Sequence, residues 1–224
     1  MSVGTALRSE GDGPPRVLVA AKAPLPGRAK TRLSPPLAPA LAARLAHAFL
    51  ADVLRAALAA DASAGLLCPA ADAADLRRLF PGVAVVVQPG DGLSAALAHG
   101  VRDGAAVVAG DAPGIRPEAI AMALSASADV VIAPSGDGGF GLIRMPRYTP
   151  AVFAGMTWST GSVLAELTGA CRAVGLTVDL LEPVADVDTV ADLARIDLDH
   201  APATRAVLGE GAVTHTAAAG EGIG

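Results

Sequence analysis

Ala105-Ala106-Val107-Val108-Ala109-Gly110-Asp111-Ala112-Pro113 joins a short apolar run to a carboxylate at a turn. Aliphatic residues without polar alternation have the length and character of a strand buried on both faces. Such a strand belongs to a mostly parallel sheet covered by helices, and the carboxyl ends of its strands are where ligands bind. Asp111 stands at that end. An aspartate here can also be a turn residue that caps the helix opening at Pro117. This stretch alone leaves both readings open.

Apolar runs and helical periods alternate on either side of it. Val17 to Ala21 reads as a strand, followed by a Pro-rich basic loop from Lys22 to Pro36. Leu37, Leu41, Leu45, Phe49 and Val53 then recur every four residues, with Arg44, His47, Asp52 and Arg55 between them. That is an amphipathic helix, with those polar residues on its outer side. Leu66 to Cys68 and Val83 to Val87 read as strands, and Ala71 to Leu79 and Leu93 to Val101 as helices. Pro117 to Leu124 is a helix with proline in its first turn, and Val130 to Ala133 is a strand. A glycine-rich turn, Gly136 to Gly141, leads into a strand over Leu142 to Met145. An irregular stretch around Trp158, a helix from Ser162 to Val174, a strand near Leu176 to Leu181 and a helix from Val190 to about Ile196 complete the pattern. The expectation is one α/β domain over residues 16–200, with a Rossmann-like, mostly parallel sheet and helices on both faces. Residues 1–15 are polar and rich in Gly and Pro, and residues 201–224 lack an apolar period. Both are expected to be flexible tails.

Composition narrows the function classes. Seventeen basic against 22 acidic residues give a net charge of -5, which excludes a general nucleic-acid binder relying on a basic face. No apolar run reaches membrane-spanning length, and the first residues contain no apolar segment of a signal peptide. Cys68 and Cys171 show no CxxC spacing, so a cytoplasmic, reducing location fits better than a disulfide or zinc framework. The histidines have no partners at metal spacing. A homodimer is left open as an assembly.

Two further segments carry chemistry. Asp186-Val187-Asp188-Thr189-Val190-Ala191-Asp192 contains a capping-box spacing between Thr189 and Asp192. Asp186 and Asp188 are more carboxylates than a cap requires. Mg²⁺ is typically held by one or two carboxylates plus substrate phosphates, and Asp111 with Asp188, aided by Asp186, would suit Mg²⁺ or Mn²⁺. The loop Lys22-Ala-Pro-Leu-Pro-Gly-Arg-Ala-Lys-Thr-Arg-Leu33 concentrates Lys22, Arg28, Lys30 and Arg32 after the first strand. It reads either as a solvated basic loop or as a cradle for nucleotide phosphates, and the acidic balance of the chain favours the cradle. It lacks the GxxxxGK[ST] spacing of a P-loop. Gly136 to Gly141 matches GxGxxG but does not open a helix, so the dinucleotide reading lacks its context. Trp158 and Phe140 fit the core as well as a platform for a sugar or base.

In this order, the Lys22–Leu33 loop, Gly110-Asp-Ala-Pro113, Asp137-Gly-Gly-Phe-Gly-Leu-Ile143, Trp158-Ser-Thr160 and Asp186-Val-Asp-Thr189 resemble the DUF2064 proteins. These are glycosyltransferase-like members of the GT-A nucleotide-diphospho-sugar transferase fold. The resemblance covers roughly Val17 to Ile196. It implies that Asp111 and Asp188 hold Mg²⁺ and that Lys22, Lys30 and Arg32 contact phosphates. Gly90-Asp-Gly-Leu-Ser-Ala-Ala-Leu97 is closer to the 2-phospholactate guanylyltransferases. That likeness implies a nucleotide-binding role near the base for Gly92, Leu93 and Ser94.

Three functions are compatible with this set. Nucleotidyl transfer from an NTP to a phosphorylated small-molecule acceptor would use Lys22, Lys30, Arg32 and Asp111 in catalysis and needs no general base. Glycosyl transfer from an NDP-sugar would use the same metal, with Asp137 as base toward an acceptor hydroxyl. A non-catalytic nucleotide sensor would not need both metal carboxylates. The dense basic loop favours nucleotidyl transfer, because pyrophosphate carries more charge away than a bridged diphosphate does.

Overall fold

The computed structural model describes residues 16–90, 93–158 and 160–210. The segments expected to be tails at 1–15 and 211–224 lie outside the described residues, as does Ser159.

Among the described residues seven strands form one sheet in the order β3-β2-β1-β4-β6-β5-β7. They are β1 Val17–Ala20, β2 Ala64–Cys68, β3 Ala84–Val87, β4 Ala106–Ala109, β5 Val130–Pro134, β6 Phe140–Arg144 and β7 Val178–Leu180. Pairings are parallel except those of β6, which runs antiparallel to both β4 and β5. The reversal follows from the turn after β5, which is too short for a crossover and returns the chain as a hairpin. The helices are α1 Pro39–Ala59, α2 Ala73–Leu79, α3 Leu93–Gly100, α4 Pro117–Ser125, α5 Val163–Ala173 and α6 Val190–Leu193. Each expected strand and helix is present, with ends moved by a few residues.

The strands are apolar on both sides because helices cover both. Val17, Val19, Leu66, Val108 and Val131 pack into one core with α1, α2 and α4. Leu18, Leu67, Val107, Ile132 and Ile143 face the other way, into a core with α3 and α5. Arg144, at the end of β6, donates to the carbonyls of Ala123 and Ala126 at 3.0 and 3.5 Å. A cation there satisfies the last carbonyls of α4 and opposes its dipole.

The chain does not become loose at Ala201. Residues 202–210 are helical, and they cover a side of α1 whose polar residues the four-residue apolar spacing assigns to solvent. Asp52 lies on that side, yet it is 1% exposed. Its carboxylate accepts the N–H groups of Ala203 and Thr204 at 2.9 and 2.8 Å, the Thr204 hydroxyl at 2.7 Å and Arg55 at 3.0 Å. It thereby caps the start of the 202–210 helix from another helix, satisfying amide donors that have no partner within it. His47, also assigned to the polar side, is half-buried and stacks on Phe80 with ring centroids 4.5 Å apart.

Asp52→Ala leaves several buried donors without an acceptor. It should destabilise the fold by about 2–4 kcal/mol, read as a lower urea midpoint, and should remove amide-exchange protection from residues 202–210 first.

Candidate functional site

The carboxyl ends of β1, β2, β3, β4 and β5 open onto one cavity of about 1050 Å³, at the upper end of the range of ligand sites. Lys22, Arg28, Lys30, Arg32, Asp111, Asp137, Asp186 and Asp188 all line it. Every charged residue expected at the site therefore reaches a single cavity. For the expected base-side residues the position is different: Gly92 lies outside the described residues, while Leu93 and Ser94 begin α3.

Backbone geometry brings the distant segments together. Gly110 donates to the Ala20 carbonyl at 3.1 Å, and a Cβ there would lie 2.4 Å from that oxygen and 2.5 Å from Leu50. Only glycine lets the turn after β4 lie this close to β1 and α1. The next residue, Asp111, accepts the Val187 N–H on its own carbonyl at 2.9 Å. That bond clamps the segment carrying Asp186 and Asp188 against the end of β4. Beyond it, Asp192 accepts the backbone N–H of Thr189 at 2.7 Å and of Asp188 at 3.2 Å. Thr189 and Asp192 thus have the structural role their spacing indicates.

Lys30 lies at the centre. Its ammonium donates to Asp111 Oδ2 at 2.5 Å and to Asp188 Oδ1 at 2.9 Å, and its side chain is 15% exposed. Burial pulls its pKa down, but the charge of Asp111 and the hydrogen bonds to both carboxylates outweigh that and hold it above 10.5. Arg32, largely exposed, reaches the other oxygen of Asp188 at 3.2 Å. Burial raises the pKa of Asp186, and the negative charges of Asp137, Asp111 and Asp188 add to the rise. The site therefore concentrates carboxylates around one resident ammonium.

Two expectations need qualification. Arg28 lines the cavity but does not join the Lys30 and Arg32 cluster; its guanidinium pairs at 3.0 Å with Asp72, just before α2. Asp137 is exposed and accepts the Ser135 hydroxyl at 2.5 Å and the Gly139 N–H at 2.9 Å. The Ser135 bond, against the effect of burial, holds its carboxyl below 3.8, which weakens it as a base. The turn carrying it is closely packed: Gly138 has φ +85°, and a Cβ there would lie 2.0 Å from the Gly161 carbonyl oxygen. Phe140 lines the cavity, whereas Trp158 stacks on Phe153 at 6.1 Å against the core. Gln88 lines the cavity too and is 6% exposed. Its signal in the sequence was a lone amide directly after an apolar strand.

Among the described residues no group of three or more His, Cys, Asp or Glu is placed to hold a metal ion. A fully protein-ligated ion is thus not indicated. Yet Asp111 and Asp188 direct one oxygen each at a single cation, the Lys30 ammonium. Two carboxylates converging on one cationic position fit Mg²⁺ that takes its other ligands from phosphates and water.

The family described as "Uncharacterized protein conserved in bacteria (DUF2064)" matches residues 45–160, more than half of the 224 residues. The chain belongs to the DUF2064 family. Phosphoenolpyruvate guanylyltransferase of Streptomyces scabiei is 34% identical to this DUF2064 chain over 206 residues, 86% of this chain and 90% of the relative. 2-Phospho-L-lactate guanylyltransferase of Halobacterium salinarum is 32% identical over 117 residues, 50% of this chain and 54% of the relative. Among solved structures, a protein described as a nucleotide-diphospho-sugar transferase from Desulfovibrio desulfuricans superposes with a TM-score of 0.76 at 27% identity, covering 88% of this chain and 94% of that one. The expected fold family and the resemblance to guanylyltransferases both hold. Among the described residues of the DUF2064 chain no helix is long and apolar enough to cross a membrane.

Ser135→Ala removes the bond that holds Asp137 ionised. The Asp137 carboxyl pKa should rise toward 3.8, measured by ¹³C NMR titration. Asp137's contribution to stability, present above its unfolded pKa and lost as pH falls through the depressed folded value, should shrink accordingly.

Proposed function

We propose that the chain is a Mg²⁺-dependent nucleotidyltransferase that moves a guanylyl group from GTP to a small acid bearing a phosphate. The arrangement of Lys30 and Arg32 against Asp111 and Asp188 carries the reading, because it supplies phosphate-binding cations and a cation position within one cavity. The guanylyltransferase names of relatives along most of the chain support the choice of base. Those relatives' names give two acceptors, phosphoenolpyruvate and 2-phospho-L-lactate. Both are three-carbon carboxylates with a phosphate on carbon 2, and that class is the acceptor proposed here.

In this reading an oxygen of the acceptor phosphate attacks the α-phosphorus of GTP. The bond from that phosphorus to the bridging oxygen of the β-phosphate breaks, and pyrophosphate leaves with the electron pair. The attacking oxygen is already ionised, so no proton has to be removed. When bound, Mg²⁺ would be held by Asp111 and Asp188 and would neutralise charge on the phosphates. Lys22, Lys30 and Arg32 bind and orient the triphosphate and offset the charge that grows on pyrophosphate. Catalysis then rests on positioning and electrostatics, in a pocket that already holds the charges it needs. Asp186, whose carboxyl is pushed up by burial and its neighbours, would gain most from a divalent ion nearby. The two cysteines are free and buried, in keeping with a cytoplasmic location as part of this proposal.

The test is thermal unfolding with GTP, other NTPs and NDP-sugars, each with Mg²⁺ and with chelator, followed by pyrophosphate release with both acceptors. Ligand at a hundredfold over its dissociation constant stabilises by about 2.7 kcal/mol, roughly 5–10 °C for a domain of this size. A Mg²⁺-dependent shift with GTP and acceptor-dependent pyrophosphate release are expected. Asp111→Asn should abolish turnover while keeping the fold. A shift with an NDP-sugar but not with GTP would replace this reading by glycosyl transfer.

A further inference from the structure

We propose that Lys30 is a resident counter-cation that bars free divalent ions from the Asp111–Asp188 pair and admits them only together with a nucleotide. The inference rests on the metal and nucleotide reading above and specifies the form in which the substrate enters. Three observations carry it.

The oxygens that would bind the ion are already in use. Asp111 Oδ2 and Asp188 Oδ1 lie 2.5 and 2.9 Å from one Nζ, and an ion seeking those oxygens must displace it. The displaced ammonium would also need an anion. Its side chain is only 15% exposed in the pair, so the two carboxylates, more than water, balance its charge there. An ion arriving alone brings no anion for it. The phosphates of a nucleotide do, within the same cavity, and Lys22 and Arg32 line that cavity as further phosphate partners.

Lys30 is also placed to exchange partners. It precedes a 3-10 turn over Thr31–Leu33, with its backbone in the left-handed region at φ 48°, and the Leu33 N–H donates to its carbonyl at 2.9 Å. That bond holds the backbone at the start of the turn, while the long flexible side chain can swing its charge from carboxylate to phosphate. Arg32, on the outer oxygen of Asp188, adds a weaker second barrier from a solvent-exposed position.

The consequence is thermodynamic coupling. Nucleotide raises metal affinity by the factor by which metal raises nucleotide affinity. The ammonium increases that factor by penalising the metal-only state. Removing it should strengthen metal binding in the absence of nucleotide and reduce the coupling.

Mn²⁺ binding to the full chain, followed by electron paramagnetic resonance, tests this. Wild type, Lys30→Met and Arg32→Gln are each titrated with Mn²⁺ alone and with Mn²⁺ plus a GTP analogue whose α,β-bridge cannot be cleaved. Wild type should bind Mn²⁺ weakly alone and roughly tenfold or more tightly with the analogue. Lys30→Met should gain roughly tenfold in affinity for Mn²⁺ alone and lose a similar factor of coupling. Arg32→Gln should move the same way by less. In thermal unfolding, Mg²⁺ alone should stabilise Lys30→Met and leave wild type unmoved. Unchanged or weaker binding of Mn²⁺ alone to Lys30→Met, while wild type binds it with the analogue, overturns the counter-cation role and spares the metal reading. Absence of Mn²⁺ binding from every protein, even with the analogue, removes the metal reading and this inference together. If Lys30→Met does not fold, Arg32→Gln decides: no gain in affinity for Mn²⁺ alone overturns the proposal.

Discussion

The ammonium of Lys30, held between Asp111 and Asp188, ties together three segments that lie far apart in the chain. Unscreened carboxylates this close would repel each other, and burial would make that repulsion more costly. The ammonium removes the cost in the absence of ligand. It can do so only because the backbone delivers each partner to one place. Gly110 lets the β4 turn close on β1, and the Val187 N–H brings the acidic segment to Asp111. Val187 is fully buried, in a small core with Leu33 and Phe49. The packing that fixes the last carboxylate therefore also anchors the end of the basic loop.

The sheet gives this cluster its surroundings. β2 and β3 end on one side of β1, and the hairpin of β5 and β6 lies beyond β4 on the other. One end of the cavity accordingly has Leu67, Pro69 and Leu97 as walls with Gln88 as a buried amide. The other end presents Ser135, Asp137, Gly139, Thr160 and Gly161. An apolar slot beside a charged middle and a polar, glycine-lined end suits a base, its phosphates and a small polar acceptor in turn. The antiparallel β5–β6 hairpin carries Ser135, Asp137 and Gly139 to this end of the cavity.

Much of this was legible in the sequence because it depends on local signals. Apolar runs gave the strands, and the position of Asp111 just after one pointed to the edge where the cavity lies. The excess of carboxylates around the Thr189 cap gave Asp188. Each miss came from a partner distant in sequence. Asp52 and His47 fell on the polar stripe of α1, but residues 202–210 cover Asp52 and Phe80 stacks on His47. Residues 202–210 show no strong apolar period, and their docking depends on a carboxylate of another helix as well as on Val207 and Leu208. Arg28 looked like its basic neighbours, yet Asp72 draws it away from them. No spacing rule connects residues brought together only by parallel crossovers.

Asp137 bears on the choice of chemistry. Glycosyl transfer to a hydroxyl calls for a base that takes a proton near neutral pH, and efficient bases have pKa values near that range. Asp137 is driven the other way, below 3.8, by Ser135 and the Gly139 amide. Asp186 does have a raised carboxyl pKa, but its rise comes from burial among negative neighbours, and a cation bound between them would bring it down again. Under the proposed metal-dependent reading, a site in which one carboxylate is held ionised and the other would be returned to ionisation by a bound divalent cation is poorly furnished with bases. Attack by a phosphate oxygen asks for none. The same arrangement is rich in what the proposed nucleotidyl transfer would ask for: basic side chains that could meet a departing pyrophosphate and carboxylates that could share a cation with it. The electrostatics of the site thus favour an acceptor that arrives already charged.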